Sequence, residues 1–187
     1  MTCVCSLCII LLLFCFPVLS QSKSEIKDRK IKSVTTSTFD IRKGDSTFKK
    51  NLSRYDRQGN VIESIDYDPH GNIKDHEQFQ YNSHGDEVLY IQLSSDQKVM
   101  RKIESRYNKW NNLTEKITTD EGGNLSEKIE LTYNPSSDPV LESTYDRDGK
   151  IIRHTEYIYD SRGMLIGKKI YNEKNILIYS KEFSIEY

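Results

Sequence analysis

The stretch that decides the fold is residues 55–81, which read YDRQGNVIESIDYDPHGNIKDHEQFQY. Tyr55 and Tyr67 are each followed by an Asp-x-x-Gly-Asn segment, and the stretch ends on Tyr81. Aspartate at the first position of such a segment favours a type I turn. The glycine three residues later supplies the left-handed residue of a G1 bulge. The stretch therefore predicts tight β-hairpins between short strands.

The same pattern returns along the chain with a period of 26 residues. One series of phased positions comprises Tyr55, Tyr81, Tyr107, Tyr133 and Tyr159. A second series, 12 residues later, comprises Tyr67, Leu93, Thr119, Tyr145 and Tyr171. The clearest structural turn residues that follow them are Asp56, Gly59, Asp68, Gly71, Gly85, Gly123, Asp146, Gly149, Asp160 and Gly163. An internal repeat that keeps phase over the whole array predicts an all-β repeat protein.

The segments between the turns alternate between about seven and about nine residues, which are ordinary strand lengths. With further segments near residues 31–39 and 47–55, they predict an antiparallel meander of about twelve strands. Each phased residue is expected to face the residue six positions later, as Tyr55 faces Val61.

Alternation of side chains predicts two different faces for this sheet. The phased tyrosines are expected to share one face with aliphatic and aromatic residues such as Ile73, Phe79 and Ile103. The other face is expected to carry solvated charge columns, one mostly basic (Lys50, His76, Lys102, Lys128, His154) and one acidic (Glu104, Glu130, Glu156, Glu182). Hydrophobic residues make up only 36% of the chain. We therefore expect a thin, twisted or curled sheet, held together mainly between neighbouring hairpins.

Residues 1–20 have the features of a signal peptide. They contain no charged residue, and residues 8–19 form an apolar run that is short for a membrane span. Val18 and Ser20 suit a cleavage site before Gln21, which gives a mature repeat array of residues 21–187 with its phase clearest from residue 55. The protein is thus expected to be secreted, periplasmic or at the cell surface. Membrane attachment is expected only if this segment stays uncleaved or is lipidated.

Composition excludes several classes of function. The chain has 27 Lys and Arg against 28 Asp and Glu, so no strong attraction to nucleic acid is expected. All four cysteines lie in the first 20 residues, which removes thiolate chemistry from the mature chain. The histidines are scattered and interpreted as solvated polar residues, and the Asp146–Asp148 segment coincides with a repeat turn. We therefore predict no metal, no cofactor and no catalytic residue, hence no enzyme.

Trp110 is the one tryptophan of the chain and follows Tyr107 in a predicted turn. Exposed aromatic rings stack on sugar rings, whereas tyrosines at strand ends also serve to cover hairpin corners. The candidate ligand contacts are therefore Trp110, Tyr107 and Tyr90.

Residues 157–165 read YIYDSRGML and resemble the YD repeat of the RHS/YD family, in which Tyr-x-Tyr-Asp is followed by two residues, glycine, any residue and leucine. The segments from Tyr145 and from Tyr55 match its core, and the resemblance covers residues 39–187. It implies a secreted or surface protein built from β-hairpins, with sugar binding as a suggested role. The array is far shorter than the large β-shells of that family, so we expect a short stand-alone relative.

The predicted function is therefore structural or binding, with a glycan or an envelope protein as the expected partner. Two alternatives remain open from the sequence. The chain could be an inhibitor or immunity-type partner of another protein, or a remnant of a larger RHS-type protein.

Overall fold

The computed structural model describes the backbone of residues 22–42 and 45–186, and the side chains of residues 22–40 and 48–186. The predicted signal peptide, its cleavage site and Tyr187 lie outside the described residues. The described chain forms one twelve-stranded sheet in which every strand pairs antiparallel with the next, so the predicted all-β meander is confirmed. The strands are β1 Ser33–Arg42, β2 Asp45–Tyr55, β3 Val61–Tyr67, β4 Ile73–Tyr81, β5 Glu87–Leu93, β6 Val99–Tyr107, β7 Leu113–Thr119, β8 Leu125–Tyr133, β9 Pro139–Tyr145, β10 Ile151–Tyr159, β11 Leu165–Asn172 and β12 Leu177–Glu182.

The ten turns between β2 and β12 share one hydrogen-bonding pattern. In the first, the Gly59 N–H donates to the Asp56 carbonyl (3.2 Å), and the Asp56 N–H donates to the Asn60 carbonyl (3.0 Å). The Asp56 carboxylate accepts from the N–H groups of Gln58 and Asn60, at 2.8 and 2.9 Å. In four turns that lack the glycine, other residues hold the left-handed conformation, with φ between 58° and 69°: Gln97, Asn111, Ser137 and Asn175. In these four turns the hydrogen bonds therefore offset the cost of holding a residue other than glycine in the left-handed conformation, roughly 1–2 kcal/mol.

The predicted register is confirmed: Tyr55 lies opposite Val61 and Tyr67 opposite Ile73. Directly beyond each such pair the register shifts by one residue, which is a second β-bulge in addition to the predicted G1 bulge of the turn. Arg54, for example, pairs with Glu63, so that Ile62 is the extra residue.

The expectation that both tyrosine series share one face is wrong. Tyr145, of the second series, lies opposite Lys128, whose Nζ is 5.0 Å from the Tyr145 ring centroid. The Tyr145 hydroxyl donates to Glu130 (2.7 Å), so this tyrosine lies on the charged face. The physical reason is the bulge, because inserting one residue reverses the inward–outward alternation of the next strand. The short strands likewise bring aliphatic residues between the charges, such as Ile117 beside Lys128.

The hydrophobic core is small, as a thin sheet requires. Among the described residues, the buried hydrophobic side chains are Ile26, Ile65 and Ile103. Buried polar residues, such as Thr144 and Thr155, fill comparable positions elsewhere in the sheet. Cohesion therefore comes mainly from strand pairing between neighbouring hairpins.

A short helix, α1 (Lys23–Asp28), precedes the sheet and was not predicted. The Ser22 Oγ accepts from the Glu25 N–H (3.2 Å), so Ser22-x-x-Glu25 is the N-terminal signal that could have located it. Its Ile26 is 1% exposed, and its first turn lies so close to the β2–β3 turn that a Cβ on Gly59 would be 2.6 Å from the Lys23 carbonyl oxygen. The helix therefore covers the first hairpin turn. No helix among residues 22–42 and 45–186 is long and apolar enough to cross a membrane.

Candidate functional site

The meander brings alternate turns together at one end of the sheet. The turns after β2, β4, β6, β8 and β10 form this row, because each follows a strand that runs in the same direction. At the third position of these turns the residues are Gln58, His84, Trp110, Ser136 and Arg162. The repeat thus supplies a fixed series of tips on which the side chains vary.

Tyrosines of the first series connect neighbouring repeats below these tips. Each hydroxyl donates to a backbone carbonyl twenty residues earlier: Tyr81 to Val61 (2.9 Å), Tyr107 to Glu87 (3.0 Å), Tyr133 to Leu113 (2.6 Å) and Tyr159 to Pro139 (2.8 Å). Burial raises the pKa of all four phenols. Each of these tyrosines ends a long strand and bonds to the first residue of the short strand beside it, as Tyr81 of β4 bonds to Val61 of β3. This bond recurs in each repeat, which accounts for the strict 26-residue spacing of the tyrosines.

A groove of about 560 Å³ lies between two neighbouring tips. One wall is the turn of residues 108–112, which contributes Asn108, Trp110 and Asn112. The other is the turn of residues 134–138, and its lining includes Pro135 beside the end of β8 at Tyr133. We call this feature the Trp110 groove.

Trp110 is presented to solvent by a well-defined turn. Its side chain is 67% exposed. The backbone N–H of Trp110 donates to the Asn108 Oδ1 (2.9 Å), and the next residue, Asn111, holds the left-handed conformation. The Lys109 Nζ lies 4.3 Å from the indole centroid, a cation–π distance. The turn therefore holds a large aromatic surface at the mouth of the groove.

The Trp110 turn also differs from its neighbours in its amide groups. In the turns before and after it, an asparagine amide donates to an aspartate: Asn82 to Asp86 (3.0 Å) and Asn134 to Asp138 (3.1 Å). The corresponding residues here are Asn108 and Asn112, and no bond joins their side chains within the described residues. Two side-chain NH₂ groups are therefore available beside the indole, without a neighbouring carboxylate in the turn.

The other two candidate contacts lie outside this groove's lining. Tyr107 is one of the tyrosines that connect repeats, with its hydroxyl on the Glu87 carbonyl. Tyr90 lies within β5, with its ring centroid 5.5 Å from that of Phe79 and its hydroxyl on Glu77 (2.8 Å). Of the three, Trp110 alone lines the groove. The sequence did not lead us to predict Asn112 or Pro135 as groove residues. Asn112 could have been found, because it replaces the aspartate that pairs with the first asparagine of the neighbouring turns.

A second groove of about 410 Å³ lies over β3, β4 and β5 and contains Arg54 and Glu63. The Glu63 carboxylate forms an ion pair with Arg54 (2.7 Å) and a hydrogen bond with the His76 Nε2 (2.9 Å). His76 is 4% exposed, so its interpretation as a solvated residue is wrong. It lies opposite Ile65, which also belongs to the small core. These charges are thus engaged within the sheet.

The carboxylates of the Asp146–Asp148 segment serve its turn. The Asp146 Oδ1 accepts from the N–H groups of Asp148 and Lys150, both at 2.9 Å. No cluster of three or more metal-ligating side chains occurs among the residues that the structure describes.

We predict that stability falls steeply between pH 10 and pH 12. Burial, with the carboxylates of Glu77 and Glu142 nearby, raises the pKa of Tyr90 and of Tyr157 to about 12. An unfolded tyrosine titrates near pH 10, so the folded chain binds more protons between these values. Its extra stability is complete below pH 10 and is lost as the pH rises towards 12. The double variant Tyr90→Phe/Tyr157→Phe should lose less stability over this interval in urea unfolding.

The control for this prediction is Trp110→Phe, a change at an exposed ring that carries no phenol, which should follow the unmodified chain. Equal pH dependence of the double variant and the unmodified chain would contradict the assignment of the alkaline loss to these two phenols.

No family model matches the sequence, and no curated protein matches it. Similar solved structures include a porin-like protein from Bacteroides uniformis, 10% identical, with a TM-score of 0.40 over 82% of this chain and 56% of that one. They also include TcdB2-TccC3, 14% identical, with a TM-score of 0.37 over 80% of this chain and 10% of that one. The chain thus spans about half the length of the first and a tenth of the second. The TcdB2-TccC3 chains carry RHS/YD repeats.

Proposed function

We propose that this chain is a non-catalytic, secreted or cell-surface protein of YD-repeat type that binds carbohydrate in the Trp110 groove. The observation that carries the proposal is the exposed indole beside the two amides of Asn108 and Asn112. An indole face packs against the C–H face of a sugar ring, and side-chain amides pair with its hydroxyls. Both kinds of group line the same groove, on a turn whose geometry is already fixed.

The lining of the groove favours binding over catalysis. Among the residues that the structure describes, its lining consists of asparagine, threonine, serine, tyrosine, tryptophan, leucine and proline, without aspartate, glutamate, histidine or lysine. Glycoside cleavage requires a pair of carboxyl groups at the scissile bond. A groove with neutral hydrogen-bonding groups and an aromatic wall suits the retention of a neutral sugar.

The location and the family type are parts of the same proposal. The apolar, uncharged first 20 residues support export, and the Tyr-Asp-x-x-Gly turns from Tyr55, Tyr145 and Tyr159 support the YD-repeat assignment. Intact-mass and peptide mass spectrometry of the exported protein test the first point, since cleavage at the proposed site gives a chain that starts at Gln21, as glutamine or as pyroglutamate.

We predict that Trp110→Ala weakens carbohydrate binding at least tenfold, because loss of the stacking face removes about 1.4 kcal/mol or more. A glycan array probed with the purified protein identifies the ligand, and calorimetry then compares the affinities. The matched control is His84→Ala, which removes an exposed ring at the same turn position one repeat earlier. Its affinity should equal that of the unmodified protein.

A second variant, Asn112→Asp, separates binding from folding. It recreates the amide–carboxylate pair of Asn82 and Asp86, so the turn should fold as that neighbour does. We expect the circular dichroism spectrum to be retained and carbohydrate binding to be lost. A folded protein that binds no glycan, or whose binding survives Trp110→Ala, would contradict the proposal. A stable one-to-one complex with an envelope protein would then favour the inhibitor or immunity-type role.

A further inference from the structure

Strand β12 is an edge strand of the described sheet, paired on one side only with β11. The Phe183 N–H donates to the Ile166 carbonyl of β11 (3.0 Å), which sets the direction of the neighbouring peptide groups. In an antiparallel ladder the residues alternate between pointing towards and away from a given partner. Ser180 and Glu182 therefore direct their N–H and C=O groups away from β11, on the side where no other described strand pairs with β12. Such an edge is a template for a further strand.

Exposed hydrophobic residues are concentrated at the same edge. Of the large hydrophobic residues that are exposed in the described chain, five lie within eight consecutive residues: Ile176, Leu177, Ile178, Tyr179 and Phe183. Their exposure ranges from 37% at Phe183 to 59% at Ile178. At the opposite edge, β1 exposes the polar run Thr35, Thr36, Ser37 and Thr38, with Phe39 as its large exposed hydrophobic residue. The two edges thus differ in what they can bind.

We propose that β12 pairs antiparallel with β12 of a second copy of this chain, joining two sheets about a two-fold axis at Ser180. Charge and the bulge of β12 select this register. An axis at Ile178 would lie on the bulged residue of the strand, where the regular ladder is interrupted. A two-fold axis at Lys181 or at Glu182 would place two like charges directly opposite each other, which destabilises a strand pair. An axis at Ser180 instead places Tyr179 opposite Lys181 of the other copy, with the bulge at Ile178 just beyond this pair. The residue on the two-fold axis is then Ser180, which is small and whose backbone groups point away from β11.

Self-pairing through β12 also closes the assembly. A two-fold contact uses the same surface on both copies, so it ends at a dimer. A contact between β12 and β1 of another copy is head-to-tail and would give a ring or an open filament. It would also place the hydrophobic edge against the Ser and Thr side chains of β1. The β12–β12 pair covers the hydrophobic residues of both copies at once, independently of the Trp110 groove.

The first test is the mass of the protein, expressed with its full sequence, by light scattering over about 1–100 μM. We expect a dimer. The variant Ser180→Pro removes an N–H that points away from β11, so the folded monomer should be retained while pairing is blocked. We expect its dimer dissociation constant to rise at least tenfold. The matched control is Ser37→Pro on β1, where the Tyr55 N–H to Lys32 carbonyl bond shows that Ser37 likewise points outward. This control should stay dimeric.

The second test concerns the register. Directly hydrogen-bonded partners have Cα atoms about 5.5 Å apart, which suits a disulfide. Ser180→Cys should therefore cross-link two copies under mild oxidation, whereas Glu182→Cys should not, because the axis separates its two copies by several residues. A monomer at every concentration, or a dimer unaffected by Ser180→Pro, would overturn the proposal. Assemblies larger than a dimer that disappear in the Ser37→Pro variant would also overturn the proposal, since they would indicate head-to-tail pairing of β12 with β1.

Discussion

Gly59→Ala is expected to lower the free energy of unfolding by about 2–5 kcal/mol, whereas Gly149→Ala should cost about 1–2 kcal/mol. Both glycines hold the left-handed conformation, with φ of 83° and 75°. They differ in their surroundings: a Cβ on Gly149 meets nothing within 4 Å, but on Gly59 it lies 2.6 Å from the Lys23 carbonyl oxygen. Alanine at position 59 must therefore displace helix α1 or distort its turn.

The matched pair is measured by urea unfolding, with hydrogen exchange at the Ile31 and Tyr55 amides as a local readout. The Ile31 N–H donates to the Ile26 carbonyl at the end of the helix, and the Tyr55 N–H to the Lys32 carbonyl. Gly59→Ala should speed exchange at both, since each bond depends on the docked segment. In a chain that also carries Ile26→Ala, the difference in unfolding free energy between Gly59→Ala and Gly149→Ala should become smaller, because the helix has already lost its buried side chain. Equal costs for the two glycines would contradict the helix contact.

The hairpins and their register could be predicted because they are local. Tyr55, Asp56, Gly59 and Val61 lie within seven residues, and the same chemistry recurs at each copy. The bulge beyond each turn could not be predicted, because it depends on how the next strand pairs, and it moved Tyr145 to the charged face. Helix α1 was missed for a different reason. Six residues are too few for a hydrophobic period, so its capping residues Ser22 and Glu25 were its only clear signal.

The candidate site was predictable in part. Trp110 was singled out because it departs from the repeat, and it does line a groove. Pro135 and Tyr133 could not be joined to it from the sequence, since they approach only after two strands return the chain to the same end of the sheet. Tyr107 was selected for its ring, but its hydroxyl bond to the Glu87 carbonyl gives it a role in connecting repeats. A repeated residue thus indicated structure, and the departure from the repeat indicated the site.

Ile103→Ala is the second large effect that we expect, with a loss of about 2–4 kcal/mol in the free energy of unfolding. Ile103 is 8% exposed and lies between Tyr90 of β5 and Thr118 of β7, so truncation leaves a cavity between three strands. The corresponding positions in neighbouring repeats carry Glu77, Ile129 and Thr155; of these only Ile129 is aliphatic, and it is half-buried. Few buried aliphatic side chains are thus available to compensate. For a domain of this size the loss corresponds to a fall in Tm of about 5–15 °C.

The control for Ile103 is Ile151→Ala, a β10 residue that is 46% exposed, for which we expect a loss below about 1 kcal/mol. Unfolding in urea, followed by circular dichroism, measures both variants. Because a repeat array is stabilised between neighbouring hairpins, loss of a central contact also weakens the coupling between the two halves of the sheet. We therefore expect Ile103→Ala to broaden the transition, which Ile151→Ala should leave sharp. Similar losses for the two isoleucines would mean that backbone pairing alone sustains the sheet and that its small core contributes little.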